Sequence, residues 1–387
     1  MTIRLIFGAD NLHAPLTGIG RYSFELARRL ELNPNISDMR YFSLGRWIDD
    51  PLSKLSVSEA SRSVSAASSL KTWLAGRTFA VSAYNALSPL LFAWRLRELS
   101  TRDLFHAPNF FVPQCKARKV ATVHDLSHEI NPEFHPAARV ELMRAALPRS
   151  LAITDHVITV SETVRSEIIE RYGISADCVS AIHLAADPIY RPHTLEQLSS
   201  AMSALGLRPS GYCLFVGTVE PRKNVKRLVE AYSALPEDLR TDCPLVIAGG
   251  EGWNSADIHE AISHGVRAGW LRYLSFVEQR WLPALFAGAR LMAYPSLYEG
   301  FGLPIVEAMA SGTPVLTSNV SCMPEVAAGA ARLVNPLDVD HIANSLEQCL
   351  TDELWQSEAI DRGLMRAAQL SWDRCADETV AVYQSLL

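Results

Sequence analysis

The chain has 387 residues, too many for one ordinary core, so two domains of under about two hundred residues each are expected. With 48% hydrophobic and 20% charged residues, 20 glycines and 21 prolines, it has the make-up of a globular protein and excludes disordered, collagen-like and repeat-biased classes. Its 36 basic residues against 42 acidic ones leave a net charge of −6, which argues against a dedicated nucleic-acid binder, because neutralising phosphates needs an excess of Lys and Arg.

In chain order, Met1 to Phe7 has no long apolar run before a small-residue cleavage site and reads as a buried first strand, Ile3 to Phe7, so no export signal is expected. No run of about eighteen apolar residues predicts a membrane span. Further strands are expected at Met39 to Ser43, Leu104 to His106, Lys119 to His124, His156 to Val160 and Val179 to His183, with helices over Gly20 to Leu30 and Thr163 to Arg171. The serine- and alanine-rich stretch from Ser53 to Ser69 breaks this pattern and reads as a mobile insertion. Prolines and short polar residues predict a linker from Arg191 to Pro209, dividing the chain into domains 1–200 and 201–387, with the last helix able to pack back on the first. From Tyr212 onward short apolar runs alternate with helical stretches: strands Tyr212 to Val216, Leu245 to Gly249, Tyr273 to Val277, Leu291 to Pro295, Pro314 to Thr317 and Ala331 to Val334, with helices such as Val225 to Ala234, Trp281 to Gly288, Pro304 to Ser311 and His341 to Leu350. That alternation predicts two doubly wound α/β domains whose strand ends face one cleft. The seven cysteines are dispersed and odd in number, as expected of reduced thiols in a cytosolic protein.

The chemistry concentrates in the run from Tyr294 to Pro314, which leaves a strand, turns at Gly300 and Gly302 and starts a helix at Leu303 or Pro304. Free N–H groups at such a helix start suit an anion such as a diphosphate. Glu299 sits on the turn beside that site, whereas Glu307 lies inside the helix, able to accept from ribose hydroxyls. Arg222 and Lys223 follow the strand Tyr212 to Val216 at another helix start, where paired cations can neutralise a leaving diphosphate without a metal.

Glu299 and Glu307 within Pro-Ser-x-x-Glu-Gly-Phe-Gly-Leu-Pro-x-x-Glu-Ala-Met-Ala-x-Gly-x-Pro-Val resemble the signature of the retaining glycosyltransferases of family 4. The resemblance implies the GT-B fold, two Rossmann-like domains facing a cleft. It implies a nucleotide diphosphate sugar as donor, with Gly300, Phe301, Gly302 and Leu303 at its phosphates and sugar and Glu307 at its ribose. Gly217 to Asn224 is similar to the family's donor loop, although Thr218 stands where many members have arginine; Arg222 is then a candidate substitute beside Lys223. Phe276 to Phe286 resembles the loop passing the nucleobase, which implies Val277 and Leu282 as neighbours of the base. Thr17-Gly18-Ile-Gly20-Arg21 resembles the family's glycine loop, so Gly18 and Gly20 are expected near donor phosphates and acceptor.

His124-Asp125 also matches the family; alone, His124 is either a hydrogen-bonded structural residue or a donor to a sugar hydroxyl. Ser161 completes a similar Thr-Val-Ser, or simply caps the next helix. His124 and His128 follow a strand and lack a third ligand, and Asp338-Val-Asp340 reads as helix capping, so no metal site and no cofactor are expected. From Lys71 to Lys119 eight basic and two acidic residues flank the apolar run Leu90 to Trp94, which suits either an anionic membrane surface or lipid-pyrophosphate acceptor, or a solvated helix face. The expectation is a retaining hexosyltransferase, first a mannosyltransferase using GDP-mannose, acting on a saccharide or lipid-linked saccharide in polysaccharide assembly at the inner membrane face. The alternatives are a GT-B nucleotide-sugar 2-epimerase and a silent sugar-nucleotide-binding subunit.

Overall fold

A computed structural model describes residues 2–14, 16–60, 92 and 94–387. The first half forms a seven-stranded sheet from β1 (Ile3–Gly8), β2 (Ile36–Ser43), β3 (Arg46–Ile48), β4 (Asp103–Ala107), β5 (Arg118–Val123), β6 (His156–Thr159) and β7 (Val179–Ala181), in spatial order β3-β2-β1-β4-β5-β6-β7. The second forms a six-stranded sheet from β8 (Cys213–Val216), β9 (Leu245–Ala248), β10 (Leu271–Ser275), β11 (Leu291–Tyr294), β12 (Val315–Ser318) and β13 (Arg332–Val334), in order β10-β9-β8-β11-β12-β13. Every pairing is parallel except β2 with β3. Helices cover both faces of such sheets, which is why β9 (Leu-Val-Ile-Ala) and β11 (Leu-Met-Ala-Tyr) are buried at every position. Each order reverses beside its first strand, and ligands of doubly wound sheets bind outside the strand ends at that point.

Four departures from the expected elements have local causes. Leu44 and Gly45, both at positive φ, turn β2 back into β3, and Asp10 accepts from Leu44 N–H and Ser43 Oγ to hold the turn. The start of the serine-rich stretch is helical over Pro51–Ala60 and buries Leu52 and Leu55; its remainder, 61–69, lies outside the described residues. The expected linker is helical over Leu195–Leu205, held by a reciprocal Thr194 and Gln197 cap, and it buries Leu198, Ala201 and Met202 in the direction of the helix Leu282–Ala287. β10 lies two residues earlier than expected and ends at Ser275, whose φ of 47° turns the chain before Val277.

The two sheets are joined closely. The last helix, Trp372–Ser385, packs on the helix Gly18–Leu30, where Arg29 pairs with Asp373 and His106 bonds the Tyr383 hydroxyl. Glu325 accepts the backbone N–H groups of Glu162 (2.8 Å) and Thr163 (3.1 Å) and lies 2.6 Å from His183 Nε2, so a carboxylate of the second sheet's domain caps a helix of the first. Among the described residues no helix is long and apolar enough to cross a membrane. Of the expected surface stretch, Leu90, Leu91 and Ala93 lie outside the described residues. Leu96 and Leu99 are buried with Phe42 and Phe105, while Trp94 is 53% exposed with the Arg95 and Arg97 guanidinium groups over its ring.

Candidate active site

The loops after β8 and β11 leave neighbouring strands, and hydrogen bonds tie them into one surface. Leu297 N–H donates to the Arg222 carbonyl at 2.8 Å. Asn224, left-handed at φ 59°, donates its side-chain amide to the carbonyls of Pro295 (2.9 Å) and Pro336 (2.7 Å). Arg222 and Lys223 are thereby seated against Glu299. Lys223 Nζ donates to Glu299 Oε1 and to the Tyr294 hydroxyl, both at 2.6 Å. Arg222 Nη1 donates to Glu299 Oε2 (2.8 Å) and the Tyr298 carbonyl (2.9 Å), and Nη2 donates to Glu220 Oε1 (2.9 Å).

The electrostatics follow from burial and pairing. Burial alone would raise the Glu299 carboxyl, but the Arg222 and Lys223 charges override it and hold it down at about 2. Burial, with Arg222 alongside, lowers the Lys223 ammonium. The cations Arg222 and Lys223 balance the carboxylates Glu220 and Glu299, so the cluster has no surplus positive charge. Arg222 is committed to Glu220, Glu299 and the Tyr298 carbonyl, while Lys223, with one ammonium on a flexible four-carbon stem, is held by Glu299 and Tyr294. Thr218 is exposed on the same loop. Gly302 caps the helix Leu303–Ala310 at φ 90°, a conformation glycine adopts without strain, and Pro304 sits in its first turn. Ile305 N–H donates to the Gly302 carbonyl at 2.9 Å and Pro304 has no N–H, which leaves Leu303 N–H as the first-turn donor without a helical acceptor.

Gly300 stands apart from the anion-site expectation. A Cβ there would lie 1.8 Å from the His124 carbonyl oxygen, so Gly300 is the point where the two domains touch through backbone. Ser161 caps the next helix, as one of its two readings expected, by accepting from Val164 N–H, and its Oγ also donates to the Gly300 carbonyl at 2.7 Å. Phe301 is buried against His183. His124 Nε2 is 2.8 Å from the Pro108 carbonyl, and its ring meets Tyr22 edge-on. Burial lowers its pKa and keeps it neutral, so Nε2 carries the proton and Nδ1 is left as an acceptor. This is the hydrogen-bonded structural histidine of the first reading; in this structure the N–H of the second, a donor to a sugar hydroxyl, is taken by Pro108.

A second cluster surrounds Glu307. Burial raises its carboxyl to about 7, Asp187 adds to the rise, and Arg21 and the Tyr190 hydroxyl oppose it. Arg21 Nη1 lies 3.5 Å from Asp187 Oδ2, so the residue after Gly20 reaches the candidate ribose site from the first domain. Gly18 faces open space, whereas a Cβ on Gly20 would lie 2.9 Å from the Asn11 carbonyl; Gly20 serves loop packing. Leu282 starts the helix Leu282–Ala287, and Val277 lies in the loop before it. Asp338 caps its helix through His341 N–H at 2.9 Å, as expected. Motif reading missed Glu220, Asp187 and Tyr190. Glu220 had a signal, since it precedes the two cations; the other two lie at the domain junction, where no local pattern marks them.

Comparison with known proteins agrees with this fold. Residues 207–363 match the family described as Glycosyl transferases group 1, and residues 67–189 match Glycosyltransferase Family 4. The chain is 39% identical over 386 residues to O-antigen chain mannosyltransferase B of Escherichia coli, covering 99% of this chain and 100% of that protein. It is 31% identical over 277 residues to the serotype-specific mannosyltransferase WbdA of Escherichia coli, covering 70% of this chain and 34% of that longer one. WaaG, a glycosyltransferase involved in lipopolysaccharide biosynthesis, has a similar fold with a TM-score of 0.71 at 16% identity, over 98% of this chain and 99% of that one. Anabaena HepE in complex with UDP and glucose aligns with a TM-score of 0.68 at 16% identity, over 99% and 100%. Similarity to the Escherichia coli enzyme along essentially the whole length, on two Rossmann-like sheets of GT-B type, establishes that the chain belongs to the family 4 glycosyltransferases.

Proposed function

We propose that the chain is a retaining mannosyltransferase that moves mannose from GDP-mannose to a hydroxyl of a saccharide or lipid-linked saccharide in polysaccharide assembly of the O-antigen kind. The observation that carries this reading is the buried Arg222, Lys223 and Glu299 cluster beside the Gly302 helix start, opposite His124 and Asp125. The mannosyl preference draws its support from the full-length relative. In this scheme Lys223 and the amides near Gly302 take the diphosphate, Glu299 orients the sugar, and Glu307 accepts from the ribose. As the bond from C1 to the phosphate oxygen breaks, the acceptor oxygen bonds C1 on the same face, and its proton passes to the departing diphosphate. Cations in place of a divalent ion absorb the charge, and the base is met by backbone near Val277 and by Leu282. Trp94, Arg95 and Arg97 suit contact with an anionic bilayer surface on the cytoplasmic side, where such an acceptor would be anchored. A thermal-shift panel of GDP, UDP, ADP and their sugars, followed by mass spectrometry with mannose-terminated acceptors, tests the reading. Stabilisation by GDP-mannose and a product heavier by one hexose are expected; a free epimerised sugar, or binding without transfer, contradicts it.

A further inference from the structure

The segment from Tyr298 to Gly302 carries Glu299, and the first domain grips it from across the cleft. Ser161 Oγ donates to the Gly300 carbonyl, Leu126 N–H donates to the Tyr298 hydroxyl at 3.2 Å, and that hydroxyl donates to Glu167 Oε2 at 2.6 Å. On its own side Tyr298 offers its carbonyl to Arg222 Nη1, the nitrogen that also holds Glu299 Oε2. Tyr298 therefore connects the first domain, through its hydroxyl, with the cation that orients Glu299, through its carbonyl. A buried phenol requires a partner, and the half-buried Glu167, whose carboxyl burial raises, supplies a carboxyl oxygen as acceptor on the helix Glu162–Tyr172.

We infer that Glu167 is a positioning residue for glycosyl transfer, bonding Tyr298 only when the two domains meet and thereby holding Arg222 and Glu299 in working geometry. The inference rests on Glu299 acting at the donor, as proposed above. Glu167 touches no substrate in this scheme. Its loss therefore lowers turnover and leaves nucleotide affinity intact, a split that a purely structural contact would not produce.

The test compares wild type with Glu167→Ala, Glu167→Gln, Tyr298→Phe and the Glu167→Ala/Tyr298→Phe pair. Each is assayed with whichever sugar nucleotide wild type turns over among GDP-mannose, UDP-glucose and ADP-glucose, and affinity for the matching diphosphate is measured by calorimetry. Glu167→Ala is expected to lower kcat about tenfold with diphosphate affinity within about twofold of wild type. Glu167→Gln, whose amide oxygen still accepts from Tyr298, is expected to recover most of the rate. Tyr298→Phe should match Glu167→Ala, and the pair should be no worse than either single change, because both break one bond. Wild-type kcat in Glu167→Ala, or losses that multiply in the pair, overturns the inference. Glu299→Ala separates the two levels: if it is inactive while Glu167→Ala is normal, only the positioning role fails; if it keeps wild-type activity, the site reading itself fails.

Discussion

Lys223 and Glu307 are the residues whose surroundings make the sharpest demands. Lys223 is buried and held by Glu299 and Tyr294, and the proposed mechanism has it exchange that carboxylate for the donor diphosphate. Lys223→Ala is expected to lower turnover at least about tenfold, or about 1.4 kcal/mol, while excess EDTA leaves the wild-type rate unchanged. Magnesium-reversible loss in EDTA would contradict the cationic mechanism. Glu307 has its carboxyl raised by burial from 4.5 to about 7. A raised carboxyl stabilises the fold fully below its ordinary value and loses that contribution as pH rises through 7. Ribose hydroxyls donate to the ionised form, so nucleotide affinity should fall as pH drops from 8 to 6, and Glu307→Gln should flatten that profile. Glu307→Ala should weaken diphosphate binding by about 1 to 3 kcal/mol in calorimetry; equal affinities would remove Glu307 from the ribose site.

Among the elements, the parallel strands were legible because they are buried on both faces and read as unbroken apolar runs, and the helix after Gly302 because glycine, then proline, mark its start. What escaped depends on contacts distant in sequence. The β2–β3 turn uses Leu-Gly supported by Asp10, and the supposed linker is a helix because Leu198 and Met202 find a partner in the helix Leu282–Ala287. The same holds at the site: Glu299, Glu307, Arg222 and Lys223 stood out by their places at glycine turns and helix starts and by the motif around them, and Glu220 adjoins that motif, while Asp187, Tyr190 and Glu167 act through contacts no local pattern records. Gly300 shows the difference most clearly, since its position in the turn suggested an anion site and its surroundings are the His124 carbonyl. Gly300→Ala would force that backbone contact apart. Activity should fall about tenfold or more, and small-angle scattering should show a larger radius of gyration than wild type; a variant with wild-type rate and dimensions would contradict the close approach.

At the scale of the whole molecule, a cross-capping Glu325 and a returning C-terminal helix join the two sheets, and the Glu299 turn meets the end of β5 at His124. The exposed Trp94 with its two arginines gives the first domain a basic, aromatic surface on a chain of net charge −6. Co-sedimentation with liposomes of rising anionic content should show salt-sensitive binding, each nearby basic residue adding about 1 kcal/mol, and Arg95→Glu/Arg97→Glu should abolish it. Wild type that stays in the supernatant at low salt would make this an ordinary solvated surface. The central claim, retaining transfer of mannose by a cleft built on Lys223, Glu299 and Glu307, is tested most directly by the anomeric configuration of the product. GDP-mannose is incubated with the protein and a mannose-terminated acceptor, and the one-bond carbon–hydrogen coupling of the new linkage is read by NMR. An α-mannosyl product, the configuration of the donor, is predicted; a β-mannosyl product would contradict the account.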